Sequence, residues 1–385
     1  MTASTAEGPL AGLRVVELAG IGPGPFAAML LADLGAEVIR VERPDSGSAV
    51  PAELDALRRG RRSVLLDLRR PEGKRAVFDL VSRADVLVEG YRPGVAERLG
   101  LGPDECWQHN PRLVYGRMTG WGQEGPLSHS AGHDISYIAI TGALHAIGKR
   151  GDAPAVPLNV VGDFGGGSLY LVIGVLAAVF ETARSGRGQV VDAAIVDGAA
   201  SLTTLMHSLI AAGRWRDERG VNLLDGGSPW YDVYETSDGK YMAAGPIEPK
   251  FYTEFVRLLG VDSDESERAD PHAWPLLRER IGKAFASRTR AEWTEVFEGT
   301  DACVAPVLGL TEAPHHPHNV ARGTFIEVAG VTQPAPAPRF SRTPATVRRG
   351  PVAPGTDTRD ALTDWGVRDV DGLLASGAAS QAGEA

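Results

Sequence analysis

Cysteine is scarce in this chain: Cys106 and Cys303 are the two in 385 residues, and they lie far apart without metal-ligand spacing. Disulfide frameworks and zinc sites need closely spaced cysteines or Cys/His groups, so neither is indicated. Residues 1–12 also lack the basic start and apolar run of a secretion signal. We therefore expect a protein of the reducing cytoplasm.

Basic charge is in deficit as well, with 39 Lys and Arg against 49 Asp and Glu and a net charge of −10. An acidic chain has no general attraction for nucleic acid or anionic bilayers, so neither is an expected partner. The longest apolar run, residues 169–180, is shorter than the roughly 20 residues that span a bilayer, which predicts a buried helix and no membrane span. An anionic ligand would need a local group of arginines.

The chain is longer than one hydrophobic core usually organises, which predicts about two domains. Short β-rich runs, Gly/Pro turns and helical stretches alternate from Leu13 onward, beginning with "LRVVEL", "AGIGPGP" and "FAAMLLADLGAEVIRVERP". This alternation indicates an α/β domain with a largely parallel sheet in the first half. We place it at 1–213, followed by a linker at 214–230, a smaller α+β domain at 231–328 and a disordered tail at 371–385.

The glycines at 20, 22 and 24 suggest a phosphate-binding turn, but they do not match the dinucleotide fingerprint G-x-G-x-x-G. Pro25 also removes a backbone donor where a pyrophosphate would need one. Glu42 lies near the position of a ribose-binding acid, yet Arg43 follows it directly. A bound NAD is therefore not expected.

Four arginines follow successive β-like segments, where α/β sheets bind their ligands. Their shared placement could meet several phosphates, although each alone is equally well explained as a solvated surface residue. They are Arg43, Arg69, Arg92 and Arg98.

His133 in "AGHDISY" and Asp163 in "NVVGDFGGGS" are the side chains best suited to proton transfer near neutral pH. The glycines around both permit close approach of a substrate. The alternative is a hydrogen-bonded structural histidine and an aspartate that caps the helix beginning at "SLYLVIG". The spacing of the pair does not decide between these interpretations, and Glu248 could orient a histidine or face solvent.

Several long motifs in the same order carry a family resemblance over about residues 9–345. They include "PLAGLRVVELAGIGPGPFAAMLLADLGAEVIRVERP", "VLVEGYRPGVAERLGLGP", "GRMTGWGQEGP", "AGHDISYI", "PLNVVGDFGGGS", "GRGQVVDAAIVDG" and "ACVAPVL". The chain resembles the α-methylacyl-CoA racemases, a group within the family III CoA-transferases. The resemblance implies a Rossmann-like large domain, completed by a C-terminal return at 335–370, and an interlocked homodimer in which the partner's small domain closes the site.

The resemblance also implies a 1,1-proton transfer at the α-carbon of a 2-methylacyl-CoA thioester, without metal, nicotinamide, flavin or pyridoxal phosphate. His133 and Asp163 would be the two bases, Glu248 would hold His133, and the backbone N–H of Asp134 would stabilise the enolate oxygen. The residues implied to contact the CoA of the substrate are Arg43, Leu66, Asp67, Leu68, Arg69, Gly90, Tyr91, Arg92, Arg98, Gly132, His133, Asp134, Ile135, Ser136 and Tyr137.

A CoA-transferase of the same fold is the main alternative, with Asp163 as a nucleophile that forms an acyl-enzyme anhydride. The presence of His133, and "AAGPIEPK" around Glu248 in place of a consecutive-glycine loop, favour the racemase. A CoA-binding protein without catalysis is a third hypothesis. The low methionine content, 5 in 385 residues, departs from relatives that line the acyl surface with this side chain and leaves the acyl length open.

Overall fold

The computed structural model describes residues 8–43 and 50–383. These residues form two compact units. The first contains the described residues up to Thr141, together with Leu158–Leu202 and those from Pro317 onward, and the second contains Gly142–Pro157 and Thr203–His316. Strands and helices are numbered along the whole chain.

A seven-stranded sheet with the order β12-β3-β2-β1-β4-β5-β6 organises the first unit. All neighbours are parallel except β12, which runs antiparallel to β3. Val15 and Val16 of β1 point into separate buried clusters on the two sheet faces, as expected for a strand covered on both sides. The strands are β1 Arg14–Leu18, β2 Glu37–Glu42, β3 Arg62–Leu66, β4 Val86–Glu89, β5 Val114–Thr119, β6 Val190–Ala194 and β12 Ala379–Ser380, and the hairpin strands are β10 Phe325–Val328 and β11 Val331–Pro334.

Helices cover both faces of this sheet and confirm the predicted α/β class. Proline occupies the first turn of α1, α2 and α4. Backbone N–H groups in the first turn have no intrahelical acceptor, so the missing N–H of proline costs no hydrogen bond there. The helices of this unit are α1 Pro23–Asp33, α2 Pro71–Val81, α3 Val95–Arg98, α4 Pro103–His109, α5 Asp134–Ala139, a π-helix Val160–Ser168, α7 Leu169–Ser185, α8 Ile195–Leu202, α14 Pro317–Arg322, α15 Thr358–Asp364 and α16 Val370–Ala375, with a short 3₁₀ turn at Ala56–Arg58.

The C-terminal segment differs from the expected disordered tail at 371–385. Up to residue 383 it contains most of α16 and the strand β12, which adds to the edge of the sheet beside β3. Leu373, Ala378 and Ala379 are buried in the main core. The composition of this segment, rich in Ala, Ser and Gly, did not indicate these few apolar contacts. Residues 384 and 385 lie outside the described part of the chain.

The second unit is an α+β fold around an antiparallel sheet of β7 Asp232–Glu235, β8 Tyr241–Ala244 and β9 Val304–Pro306. Its core is aromatic, with Phe255, Phe285, Trp293 and Phe297 in ring contact. The helices are α6 Ala143–Ala146, α9 Thr204–Ala211, α10 Pro249–Leu259, α11 Glu265–Ala269, α12 Trp274–Phe285 and α13 Arg290–Phe297, with a 3₁₀ turn at Ala313–His315.

The observed boundaries of this unit differ from the predicted linker at 214–230 and domain at 231–328. Residues 142–157 and 203–230 belong to it, and residues 317–328 belong to the first unit. The supposed linker is compact because the carboxylate of Asp225 accepts hydrogen bonds from the backbone N–H groups of Gly220, Asn222 and Gly227. Arg219 also bonds the carbonyl of Asp152.

The π-helix and α7 together form a continuous apolar helix, Val160–Ser185. Its length and composition alone would suit a membrane span, which is weak support for one because core helices meet the same criteria.

Buried ion pairs link β1 and β2 to the segment that leads into β3. Glu17 binds Arg40 and Arg61, the latter at 2.5 Å between Oε2 and Nη1. Arg40 and Arg61 also reach the carbonyls of Gly20 and Pro25, each at 3.2 Å, and so fix the glycine-rich turn after β1. The network therefore anchors this turn to the sheet.

Glu42 belongs to the same region and cannot serve as a ribose ligand in this conformation. Its two carboxylate oxygens accept hydrogen bonds from Arg58 at 2.9 and 2.5 Å, and Ser63 donates at 2.5 Å. Burial alone would raise the pKa of Glu42, but these partners outweigh burial and lower it.

We expect Glu17→Ala to lower the free energy of unfolding by about 3–5 kcal/mol, because it leaves two buried arginines without their shared carboxylate. Urea unfolding followed by circular dichroism measures this change. Glu279→Ala, which removes an exposed pair with Lys283, is the control and should leave the curve nearly unchanged. Equal effects of the two substitutions would contradict the role given to the buried network.

Candidate active site

A cavity of about 310 Å³ opens at the carboxyl ends of β1, β4 and β5. The chain leaves β1 toward β2 on one side, whereas β4 lies on the other side, so the cavity is at the topological switch point where open parallel sheets bind ligands. The turns after these strands form its walls. Among the lining residues are Gly22, Gly90, Tyr91, Arg92, Gly132, His133, Tyr137 and Asp163.

His133 lies at the N-cap of α5 and faces this cavity with an exposed side chain. Its backbone is extended, with φ −137° and ψ 171°, and its side chain does not cap the helix. Asp134 is the first residue of α5, and N–H groups in a helix's first turn have no intrahelical acceptor. The backbone N–H of Asp134, next to His133, is therefore suited to donate a hydrogen bond to a ligand oxygen.

Asp163 lies in the π-helix, where Phe164 N–H bonds Asn159 O at 3.2 Å, five residues back. Such turns are rare and are frequently found at functional sites. The backbone N–H of Asp163 donates to Oδ1 of Asp134 at 2.6 Å. This bond fixes Asp163 relative to the start of α5, and therefore relative to His133.

Gly162 makes that bond possible. A Cβ atom at this position would lie 2.3 Å from Asp134 Oδ1, which is far closer than a carbon and an oxygen can approach. The glycine in "VVGDF" therefore allows the two segments to meet.

The Asp163 carboxyl group is partly buried, and burial raises its pKa above the usual range. The negative charge of Asp134 raises it further, while the amide of Asn159, 3.5 Å from Oδ2, and the nearby His133 act in the opposite direction. The net effect is a raised pKa, so this carboxyl group keeps its proton to a higher pH than an ordinary aspartate does.

The sequence did not predict that three further residues, Gly22, Asn159 and Ser168, lie next to Asp163. Gly22, with φ +69°, lies so close that a Cβ there would be 3.4 Å from Asp163 Oδ2. The hydroxyl of Ser168 lies 2.7 Å from Pro23 O and 3.0 Å from Asp163 O, and Asn159 contacts the carboxylate directly. The glycine spacing signalled a tight turn after β1, but nothing in it indicated which side chain the turn would meet.

The predicted CoA contacts separate into two groups in the structure. Gly90, Tyr91, Arg92, Gly132 and Tyr137 line the cavity together with His133 and Asp163. The other predicted contacts are not among the residues that line it.

Each member of that second group has a defined place. Leu66 and Leu68 are buried in the core, so their backbone alone could reach a ligand. The carboxylate of Asp67 accepts a hydrogen bond from the Arg69 guanidinium at 3.0 Å. The remaining members are Arg43 at the end of β2, Arg98 at the end of α3, and Asp134, Ile135 and Ser136 on α5.

Glu248 belongs to the second unit, at the N-cap of α10, with an exposed side chain. Its role in holding His133 stays a prediction.

The chain belongs to the family III CoA-transferases. The model of that family, "CoA-transferase family III", matches residues 10–358. The chain is 46% identical over 361 residues to the "Alpha-methylacyl-CoA racemase" of Mus musculus, covering 93% of each protein. It is 45% identical over 362 residues to the protein of that name from Homo sapiens, again with 93% of each covered.

A solved structure supports the same assignment. The fold is similar to that of a CAIB/BAIF family protein from Brucella suis, with a TM-score of 0.79 at 27% identity, covering 93% of this chain and 100% of the other. The family resemblance found in the motifs is therefore confirmed.

We expect Gly162→Ala to destabilise the protein by about 1–3 kcal/mol, because its Cβ would collide with the Asp134 carboxylate. Thermal unfolding measures the effect. Gly24→Ala is the matched control: Gly24 lies in α1, and a Cβ there would meet nothing within 4 Å. That variant should be as stable as the parent protein or more stable, and a Gly162→Ala protein of parental stability would contradict the proposed fit.

Proposed function

We propose that this protein interconverts the 2R and 2S forms of 2-methylacyl-CoA thioesters. The observation that carries the proposal is that His133 and Asp163 line the same cavity, while a hydrogen bond fixes Asp163 to the residue that follows His133. The identity to racemases of mouse and man over 93% of the chain supports it.

The proposed reaction uses one base on each face of the α-carbon. The imidazole of His133 takes the α-proton from the 2S thioester, and the electron pair of the broken C–H bond moves into a planar enolate. Asp163, in its protonated form, returns a proton to the opposite face and gives the 2R product. The roles reverse for the 2R substrate, so each proton removed is matched by one returned.

The enolate oxygen carries the charge that develops in this reaction. A backbone N–H in the first turn of α5, that of Asp134, is the proposed donor to it. The raised pKa of Asp163 suits its role because an ordinary aspartate would hold too little proton near neutral pH to act as the acid. The proposed chemistry uses side chains and backbone of the chain and requires no metal or redox cofactor.

We expect either enantiomer of a 2-methylacyl-CoA, incubated in heavy water, to exchange its α-hydrogen and approach an equal mixture of the two forms. Mass spectrometry of the thioester and chiral chromatography of the released acid measure both processes. Intact thioester without exchange would contradict the racemase proposal. Transfer of CoA to an added carboxylic acid, with Asp163 as nucleophile, would establish the CoA-transferase alternative.

The variants His133→Ala and Asp163→Ala should each reduce racemisation by at least about 10³-fold, since each removes one of the two proton carriers. Calorimetric titration with CoA is the control, and the dissociation constant should change little. A variant that keeps most of its activity would show that the two-base assignment is wrong.

A second copy of the chain is the proposed partner. Leu169, Ile173 and Phe180 follow one another along one face of α7, and Ile173 and Phe180 are 62% and 68% exposed. In the second unit, α9 buries none of its residues although it is rich in leucine, isoleucine and methionine. Apolar helix faces of this extent usually mark an interface. In the proposed homodimer, Glu248 of the partner subunit approaches His133.

We expect light scattering to give twice the 40.7 kDa of one chain. Phe180→Asp should shift the protein toward monomer, because it places a charge within the proposed apolar contact. Leu276→Asp is the matched control, since Leu276 is similarly exposed, at 60%, on α12. A parent protein that stays monomeric at high concentration would contradict the dimer.

A further inference from the structure

Glu89 is a buried acid that the proposed reaction does not use. It is the last residue of β4, only 3% exposed, and it directly precedes the Gly90–Pro93 wall of the cavity. Its Oε2 accepts a hydrogen bond from the backbone N–H of Tyr91 at 2.6 Å. The carboxylate therefore fixes the backbone of the Gly90–Pro93 wall although Glu89 does not itself line the cavity.

Arg117 on β5 lies beside Glu89 but donates its side-chain hydrogen bonds to other residues. Its guanidinium is paired with Glu97 of α3, and Nη1 donates to Gln123 at 2.6 Å. The distance from Nε to Glu89 Oε1 is 3.8 Å, which is too long for a hydrogen bond, and Nε is buried without a hydrogen-bond partner among the described residues. Arg117 thus compensates the charge of Glu89 only in part.

Burial and the groups around Glu89 together determine the pKa of its carboxyl group. Burial raises the pKa of Glu89 to about 7; the Tyr91 N–H and Arg117 oppose this rise, and the negative charges of Glu97 and of Asp192 on β6 add to it. Tyr115 is a neutral neighbour of Glu89 on β5. Its hydroxyl donates a hydrogen bond to Leu101 O and therefore not to Glu89.

We propose that Glu89 is a positioning residue for the bound thioester: its ionised carboxylate fixes the backbone of Tyr91 and thereby the Gly90–Arg92 wall against which the CoA portion lies. This inference deepens the proposed function and rests on it, since it assumes an acyl-CoA in this cavity. As the pH falls below 7, Glu89 takes up a proton and becomes a weaker acceptor for the Tyr91 N–H. CoA binding therefore weakens in that direction.

The test is calorimetric titration of CoA into the parent protein, Glu89→Gln and Glu89→Ala at pH 8 and pH 6. Glu89→Ala removes the acceptor and should raise the dissociation constant about 10-fold at pH 8. Glu89→Gln keeps an acceptor oxygen without charge and should stay within about threefold at pH 8. Glu295→Ala, an exposed glutamate on α13, is the control and should match the parent.

The comparison between the two pH values separates positioning from a structural role. The phosphates of CoA also titrate near pH 6, so weakening is expected in all variants, but the parent should weaken by a further factor of about 3 that Glu89→Gln lacks. In steady-state kinetics the loss should appear in KM, with kcat within about threefold. If Glu89→Ala does not fold by circular dichroism, the pH comparison of Glu89→Gln with the parent decides.

A dissociation constant for folded Glu89→Ala within twofold of the parent, or identical pH dependence in the parent and Glu89→Gln, would overturn the inference. Its failure is distinct from failure of the proposed function. A parent protein that binds no CoA overturns both. A parent protein that binds CoA but does not racemise a 2-methylacyl-CoA overturns the racemase alone. One that racemises it while Glu89→Ala binds CoA normally overturns the role of Glu89 alone.

Discussion

The hydrogen bond from the Asp163 N–H to the Asp134 carboxylate, 2.6 Å long, is the contact on which the geometry of the site depends. It joins the π-helix to the start of α5, so that the two proposed proton carriers come from separate segments and still face one cavity. The same carboxylate raises the pKa of Asp163 through its charge. One short contact thus fixes the position of Asp163, and the charge of the same carboxylate contributes to the raised pKa of Asp163.

The sheet supplies the fixed frame behind this contact. Arg40 and Arg61 bind Glu17 in the interior and hold the carbonyls of the turn after β1, and Gly22 of this turn lies against the Asp163 carboxylate. After the neighbouring strand β4, the buried carboxylate of Glu89 holds the Tyr91 backbone. Buried charges at the carboxyl ends of β1 and β4 thereby position the turns that follow these strands, while His133 and Asp163, the proposed proton carriers, line the cavity itself.

Periodicity along the chain predicted the parallel α/β domain correctly, because an alternation of short β-rich runs and helical stretches has few packing solutions. It failed at the C-terminal tail, where Leu373, Ala378 and Ala379 complete the core although the composition resembles a disordered segment. It also failed at residues 214–230, where a single side chain, Asp225, folds the supposed linker by accepting backbone hydrogen bonds. Such contacts depend on a few atoms and leave no periodic pattern.

The motif order was sufficient to indicate the family, the His133 and Asp163 pair and the Gly90–Arg92 wall, because several long motifs in the same order are far more specific than any one of them. The sequence could not show that a π-helical turn presents Asp163, that Gly162 makes room for Asp134, or that Glu89 lies beside an arginine already paired with Glu97. Distances between residues remote in the chain, and the burial that shifts a pKa, arise only when the segments pack together. The motifs of the sequence therefore identified the chemical groups of the site, whereas tertiary packing decided the geometry of these groups and their charge.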